Sequence, residues 1–191
     1  MTLRILAGGW ALLLALGSGF SHAQIVIGQT ASFTGPVAAG VKETADGARW
    51  YLDAVNAKGG IRGQSITLVS MDDKFDPQRA ADNATQLAQR QDVLALFLSR
   101  STPATEAMLP VLDKYAMALV APSTGAFVFH APVNPWVFNV RATYQREAEK
   151  AVAHLATTGL QRIVVVYADD SFGKDGLIGA DKGFVLSLIH I

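Results

Sequence analysis

Three hydroxyls stand close together at Ser99, Ser101 and Thr102, and Pro103 follows at once. Further on, Pro122-Ser123-Thr124-Gly125 repeats the same chemistry. Where a strand hands over to a helix, free backbone N–H groups and the positive end of the helix dipole make a ready anion site. Ser101, Thr102 and adjacent N–H groups could hold a carboxylate there with no cation. The plainer alternative is capping by Thr102 of a helix that begins with Pro103. Two hydroxyl loops at neighbouring strand ends can converge on one small polar ligand, so the pair says more than either loop alone.

Other candidates are weaker. Asp72, Asp73 and Asp76 form an acidic cluster. They could bind a metal or trade protons, but capping by Asp76 and turn-making by the other two is the simpler reading. Asp169-Asp170-Ser171-Phe172-Gly173-Lys174-Asp175-Gly176 resembles a calcium loop only superficially. Its glycine is misplaced, and Ala180 stands where the closing Glu belongs. His130 and His154 lie far apart and in no ligand-spaced group. The chain beyond residue 23 contains no G-x-S-x-G, phosphate-binding loop or dinucleotide fingerprint. Neither catalysis nor a cofactor is expected.

These loops need elements to hold them, and the pattern supplies alternating strands and helices. Ile25 to Gly28, Ile66 to Met71, Val93 to Leu98, Met117 to Ala121 and Val137 to Val140 read as short apolar strands. Arg162 to Tyr167 is the most strand-like run of all. Helical spacing joins Val41, Ala45, Ala48, Leu52 and Val55. Gly59-Gly60 ends that helix. Asp76-Pro77 opens the next, with Ala80, Ala81, Ala84, Leu87 and Ala88 inward. Met108, Val111, Leu112 and Tyr115 mark a third helix, and a fourth spans about 146–158. This alternation predicts an α/β fold with a parallel sheet. Ligands of such sheets sit beyond the carboxyl ends of the strands. That rule points to the loops at 30–36, 72–76, 99–103 and 122–125.

The 191 residues are half apolar and 17% charged, a globular composition. Basic and acidic residues balance at 16 each, which argues against nucleic acid as a partner. Without cysteine there is no disulfide and no thiolate metal site. Arg4, then the apolar run from Ile5 to Leu16, then Ser21-His22-Ala23, read as a secretory leader cut after Ala23. The chain beyond it would carry 15 basic and 16 acidic residues.

Several stretches then resemble one family. Ile27-Gly28-Gln29 and Phe33-Thr34-Gly35-Pro36 are similar to the opening of periplasmic branched-chain amino acid-binding proteins, the receptors of ABC importers. Asp53-Ala54-Val55-Asn56-Ala57-Lys58-Gly59-Gly60-Ile61-Arg62-Gly63 is the most specific match. Ser101-Thr102-Pro103, Ala121 to Ala126, Val137 to Arg141 and Asp169 to Gly173 continue in the family order.

The resemblance implies a type I periplasmic binding fold, a Rossmann-like lobe with only the start of a second. The expected division is a leader at 1–23, a ligand-binding lobe at 24–141 and a truncated second lobe at 142–191. The family pattern is expected to break near Val185. Ser101, Thr102, Ser123 and Thr124, with backbone from Gly125, would hold the ligand carboxylate. Tyr144 and Phe172 would be cleft aromatics. The implied ligand is a branched-chain amino acid or related small carboxylate or amide, and Ala39, standing where leucine-type receptors place an aromatic, argues against leucine specificity in particular. A periplasmic monomer serving membrane permease subunits is the implied setting. A sensor domain of the same fold and a secreted α/β hydrolase using Asp72, Asp73 or His130 are the alternatives.

Overall fold

The computed structural model describes residues 24–160 and 162–186. The leader expected at residues 1–23, residue 161 and residues 187–191 lie outside them.

Five parallel strands form one sheet, β1 (Ile25–Ala31), β2 (Ile66–Asp72), β3 (Val93–Phe97), β4 (Leu119–Val120) and β5 (Val137–Phe138), in the order β2-β1-β3-β4-β5. Because β2 and β3 flank β1 on opposite sides, the chain reverses its direction of winding between β1 and β3. The crevice for a ligand opens at such a switch point.

Helix α1 (Ala38–Ala57) covers one sheet face and packs on β2, whereas α2 (Pro77–Ala88) and α3 (Thr102–Tyr115) pack together on the other. The core lies between that pair and the sheet, with Val26, Leu87, Leu96, Met108, Leu112, Leu119 and Phe129 sealed in it. Asn56 explains part of the most specific sequence match. Its side chain donates to the Ile66 carbonyl at 2.8 Å and accepts from the Ile66 N–H at 2.7 Å, joining the end of α1 to the start of β2. Gly59 and Gly60 follow with φ of 95° and 69°, and their N–H groups return to the carbonyls of Asn56 and Val55.

Helices α4 (Tyr144–Thr157) and α5 (Ser171–Leu186) form a second packed unit around Val152, Ala180 and Phe184. They approach closely because Gly179 has no side chain. A Cβ there would stand 2.3 Å from the Gln145 carbonyl oxygen. Helix α5 runs on through Val185 to Leu186, so the place where the family pattern was expected to break is not a break in the helix.

Two expectations are corrected. The strongest strand signal, Arg162 to Tyr167, joins no sheet among the described residues. Its chain is alternately half-buried and exposed as a strand would be, with Ile163 and Val165 against the α4–α5 cluster and Val164 and Val166 at 87% and 93% exposure. A strand is defined by its neighbours, and the described residues provide none. The fourth and fifth strands are two residues each, because only Leu119↔Val137 and Val120↔Phe138 find partners.

Candidate functional site

The carboxyl ends of β1, β3 and β4 meet at a small crevice lined by Gln29, Ala31, Leu98, Arg100 and Ser123. Its floor is a hydrogen-bonded chain. Gln29 donates to the Leu98 carbonyl at 3.1 Å and accepts from the Ser70 hydroxyl at 2.9 Å, and Arg49 donates to Ser70 at 3.2 Å. Gln29 is buried, and this chain satisfies both ends of its amide.

Ser101 is the N-cap of α3, the position assigned from the sequence to Thr102. Its φ is 70°, its hydroxyl accepts from the Ala104 N–H at 3.2 Å, and its carbonyl receives the Thr105 hydroxyl at 2.7 Å. Accepting a bond leaves the Ser101 hydroxyl its own proton to give. Thr102 and Thr124 meet each other, their hydroxyls 2.8 Å apart and both side chains buried. They tie the β3–α3 loop to the β4 loop. A second tie is the Ser123 N–H, which donates to the Ser99 carbonyl at 2.7 Å.

Arg100 supplies a positive charge that the loop reading lacked. Its guanidinium donates to Ser123 Oγ at 3.2 Å. The signal was an arginine set among the hydroxyls, passed over because the hydroxyls alone could hold an anion.

Gly125 packs against residues 141–144, where the chain passes from the first packed unit to the second. A Cβ there would stand 2.6 Å from the Ala142 carbonyl oxygen and 3.2 Å from the Tyr144 ring. Its carbonyl accepts from the Tyr144 N–H at 2.7 Å. Thr143 caps α4 by accepting from the Arg146 N–H at 3.1 Å, so the helix begins at Tyr144, earlier than its apolar spacing suggested. The Tyr144 ring lies under the Arg141 guanidinium at 4.8 Å and meets the edge of Phe172 at 5.1 Å and 81°. Such a cation and an edge-on ring are both favourable aromatic contacts. Phe172 is half exposed. Of the seven residues expected at the site, the structure joins Thr102 with Thr124 and gathers Gly125, Tyr144 and Phe172. Ser101 stands next to Thr102, and Ser123 beside Arg100.

The acidic cluster shapes the loop between β1 and α1. Buried Asp73 accepts from the hydroxyls of Ser32 at 2.6 Å and Thr30 at 3.3 Å and from the Phe75 N–H at 3.0 Å. Burial outweighs these bonds and pushes its carboxyl above the ordinary range. Burial also raises Asp72, but the Thr34 hydroxyl and the N–H groups of Lys74, Thr34 and Phe33 outweigh it and hold that carboxyl low. Asp76 caps α2 by accepting from the Arg79 N–H at 2.9 Å. Among the described residues no group of three His, Cys, Asp or Glu could hold a metal.

The sequence matches the family model of the periplasmic binding protein over residues 24–184. The chain belongs to the periplasmic binding protein family. A Leu/Ile/Val-binding protein homolog from Brucella melitensis is 33% identical over 86% of this chain and 45% of its own. A substrate-binding periplasmic protein from Ralstonia solanacearum superposes with a TM-score of 0.83 at 32% identity, over 88% of this chain and 48% of that one. An extracellular ligand-binding receptor from Verminephrobacter eiseniae gives 0.79 at 33% identity, over 85% and 46%. The α/β parallel sheet is thus the type I periplasmic binding fold. The chain spans less than half the length of the curated relatives it matches.

Proposed function

We propose that this chain is the front portion of an extracytoplasmic solute-binding protein of an ABC importer. It would capture an amino acid or related small carboxylate between two lobes and deliver it to permease subunits. The observation that carries this is the Arg100 guanidinium set on the Ser123 hydroxyl at the β1/β3 switch point, where open parallel sheets take ligands, with Ser101 capping α3 one residue after Arg100. A hydroxyl proton, a guanidinium and the first turn of α3 all favour a carboxylate. Tyr144 and Phe172 would form the apolar wall. Residues 24–141 would form the first lobe and residues from 142 on the beginning of the second. Residues 1–23 would direct the chain to the periplasm and be removed after Ala23. The relatives called Leu/Ile/Val-binding proteins support the amino acid reading. Binding without turnover fits the carboxylates of Asp72 and Asp73, which are committed to pinning a loop.

The test is an NMR titration of the chain with L-leucine, L-isoleucine and L-valine. On this reading residues from 142 on make only the start of the second lobe, and the affinity should be about millimolar, near 4 kcal/mol. Saturable shifts at the amides of residues 100–105 and 123–125 support the proposal. No saturable shift at these amides with any of the three up to about 10 mM refutes amino acid binding at this site by this chain.

A further inference from the structure

Helix α5 meets the first packed unit through two polar contacts between residues distant in sequence. The Ser171 hydroxyl donates to Glu106 Oε2 at 2.6 Å, and Asp175 Oδ2 accepts from the Phe127 N–H at 3.1 Å. The other Asp175 oxygen accepts from Gln145 Nε2 at 2.7 Å, and Lys182 Nζ donates to Gln145 Oε1 at 2.6 Å. The Asp175 contact is therefore braced from within the α4–α5 unit. The Glu106 contact is the one hydrogen bond between side chains of α3 and α5 among the described residues.

The amino-terminal half of α5 buries no large side chain and is held by polar contacts, among them the Gly173 N–H donating to Asp170 Oδ1 at 2.9 Å and the two Asp175 bonds. Its buried residues are Gly173, Gly179, Ala180, Gly183 and Phe184, so the one large buried side chain lies at the far end, against α4. Phe172 follows Ser171 directly and is half exposed, with its ring edge-on to Tyr144. A short hydroxyl-to-carboxylate bond is among the stronger hydrogen bonds, and a carboxylate at a helix amino terminus also faces the positive end of its dipole.

We propose that Glu106 is a positioning residue, whose carboxylate holds Ser171 and thereby sets where Phe172 stands against Tyr144 at the edge of the ligand site. The consequence for ligand rests on the binding function proposed above, whereas the contact itself does not.

The experiment compares Glu106→Ala, Glu106→Gln and Ser171→Ala in the same chain. Amide hydrogen exchange along α5 and the ring signals of Tyr144 by NMR are the readouts. Glu106→Ala and Ser171→Ala should speed exchange in the first turns of α5 about tenfold, as expected for loss of one charge-assisted bond. Both should also shift the Tyr144 ring signals. Glu106→Gln keeps an acceptor oxygen and should retain most of the native pattern. Unchanged α5 exchange and an unchanged Tyr144 signal overturn the proposal. So does faster exchange spread evenly through α2 and α3, which would make Glu106 an ordinary stabilising residue. If Glu106→Ala does not fold, Ser171→Ala decides the same question. Titrations with L-leucine, L-isoleucine and L-valine that all leave the amides of 100–105 and 123–125 unmoved, beside a selective α5 effect, would leave the positioning role standing and remove the binding function.

Discussion

The hydroxyls of Thr102 and Thr124 face each other at 2.8 Å, with neither side chain open to solvent. One lies at the start of α3 and the other just beyond β4, so this bond fixes the spacing between the two loops that carry Ser101 and Ser123. Removing the Thr102 hydroxyl leaves that of Thr124 with the Ala126 N–H at 3.3 Å as its remaining partner, and removing that of Thr124 strands Thr102, whereas removing both leaves an apolar contact where the two met. Thr102→Val and Thr124→Val should each cost about 1–3 kcal/mol, and the double variant clearly less than their sum. Urea unfolding of the four proteins measures this. Strict additivity would show that the two hydroxyls act independently.

Gly125 is the point where added volume meets backbone. A Cβ at 2.6 Å from the Ala142 carbonyl oxygen cannot be relieved by turning a side chain. Gly125→Ala should destabilise by about 1–3 kcal/mol, the usual range for overpacking. It should also disturb the bond from the Tyr144 N–H to the Gly125 carbonyl, visible as a shift of the Tyr144 amide. Native stability with an unmoved Tyr144 amide would mean that the crossover yields freely.

Asp73 gives a pH dependence of definite sign. Burial raises its carboxyl above the ordinary 3.8, so the folded chain holds this proton more tightly than the unfolded chain does. Its contribution to stability is full below about pH 3.8 and is lost as pH rises through the folded-state value. Asp72 is held low, and its contribution runs the other way, present above 3.8 and lost as pH falls. Asp73→Asn removes the first effect and leaves the second. The stability of Asp73→Asn relative to the native protein should therefore rise with pH from about 3.8 upward, with a slope of at most about 1.4 kcal/mol per pH unit. A difference that is flat, or that falls with pH, would show that burial of this carboxyl does not control its titration.

What the sequence conveyed and what it withheld divide along physical lines. Local signals held. Asp76-Pro77 starts α2 and Gly59-Gly60 ends α1, because capping depends on residues within a few positions of each other. The loops at the strand ends fell where the βαβ pattern put them. Pairing and orientation were not local. Nothing in the run from Met117 to Ala121 marks β4 as two residues long, since its length depends on its partners Leu96 and Phe97 on one side and Val137 and Phe138 on the other. At the site, residue type identified the hydroxyls of Thr102 and Thr124, but only the fold shows that they point at each other. Ser101 was passed over as a cap because Thr102 fitted the pattern nearly as well, and Thr143 because apolar spacing placed the helix start at about 146.

The run from Arg162 to Tyr167 carries the last prediction. It keeps a strand's alternation of exposure, with Ile163 and Val165 against Val152, Ala180 and Phe184, and Val164 and Val166 open. A charge at Val165 must be buried or must part the cluster, while one at Val164 or Val166 enters water. Val165→Lys should destabilise the α4–α5 unit by about 2 kcal/mol or more, and Val164→Lys and Val166→Lys by less than about 0.5 kcal/mol. Hydrogen exchange of α4 and α5 amides reports this unit separately from the sheet. The open valines also form an uncharged segment of high β-propensity with free edges, the pattern of intermolecular strand pairing. The same two outward lysines should therefore reduce concentration-dependent association in sedimentation. Equal destabilisation at all three positions would mean that this segment is packed on both faces, and the alternation would then have no structural meaning.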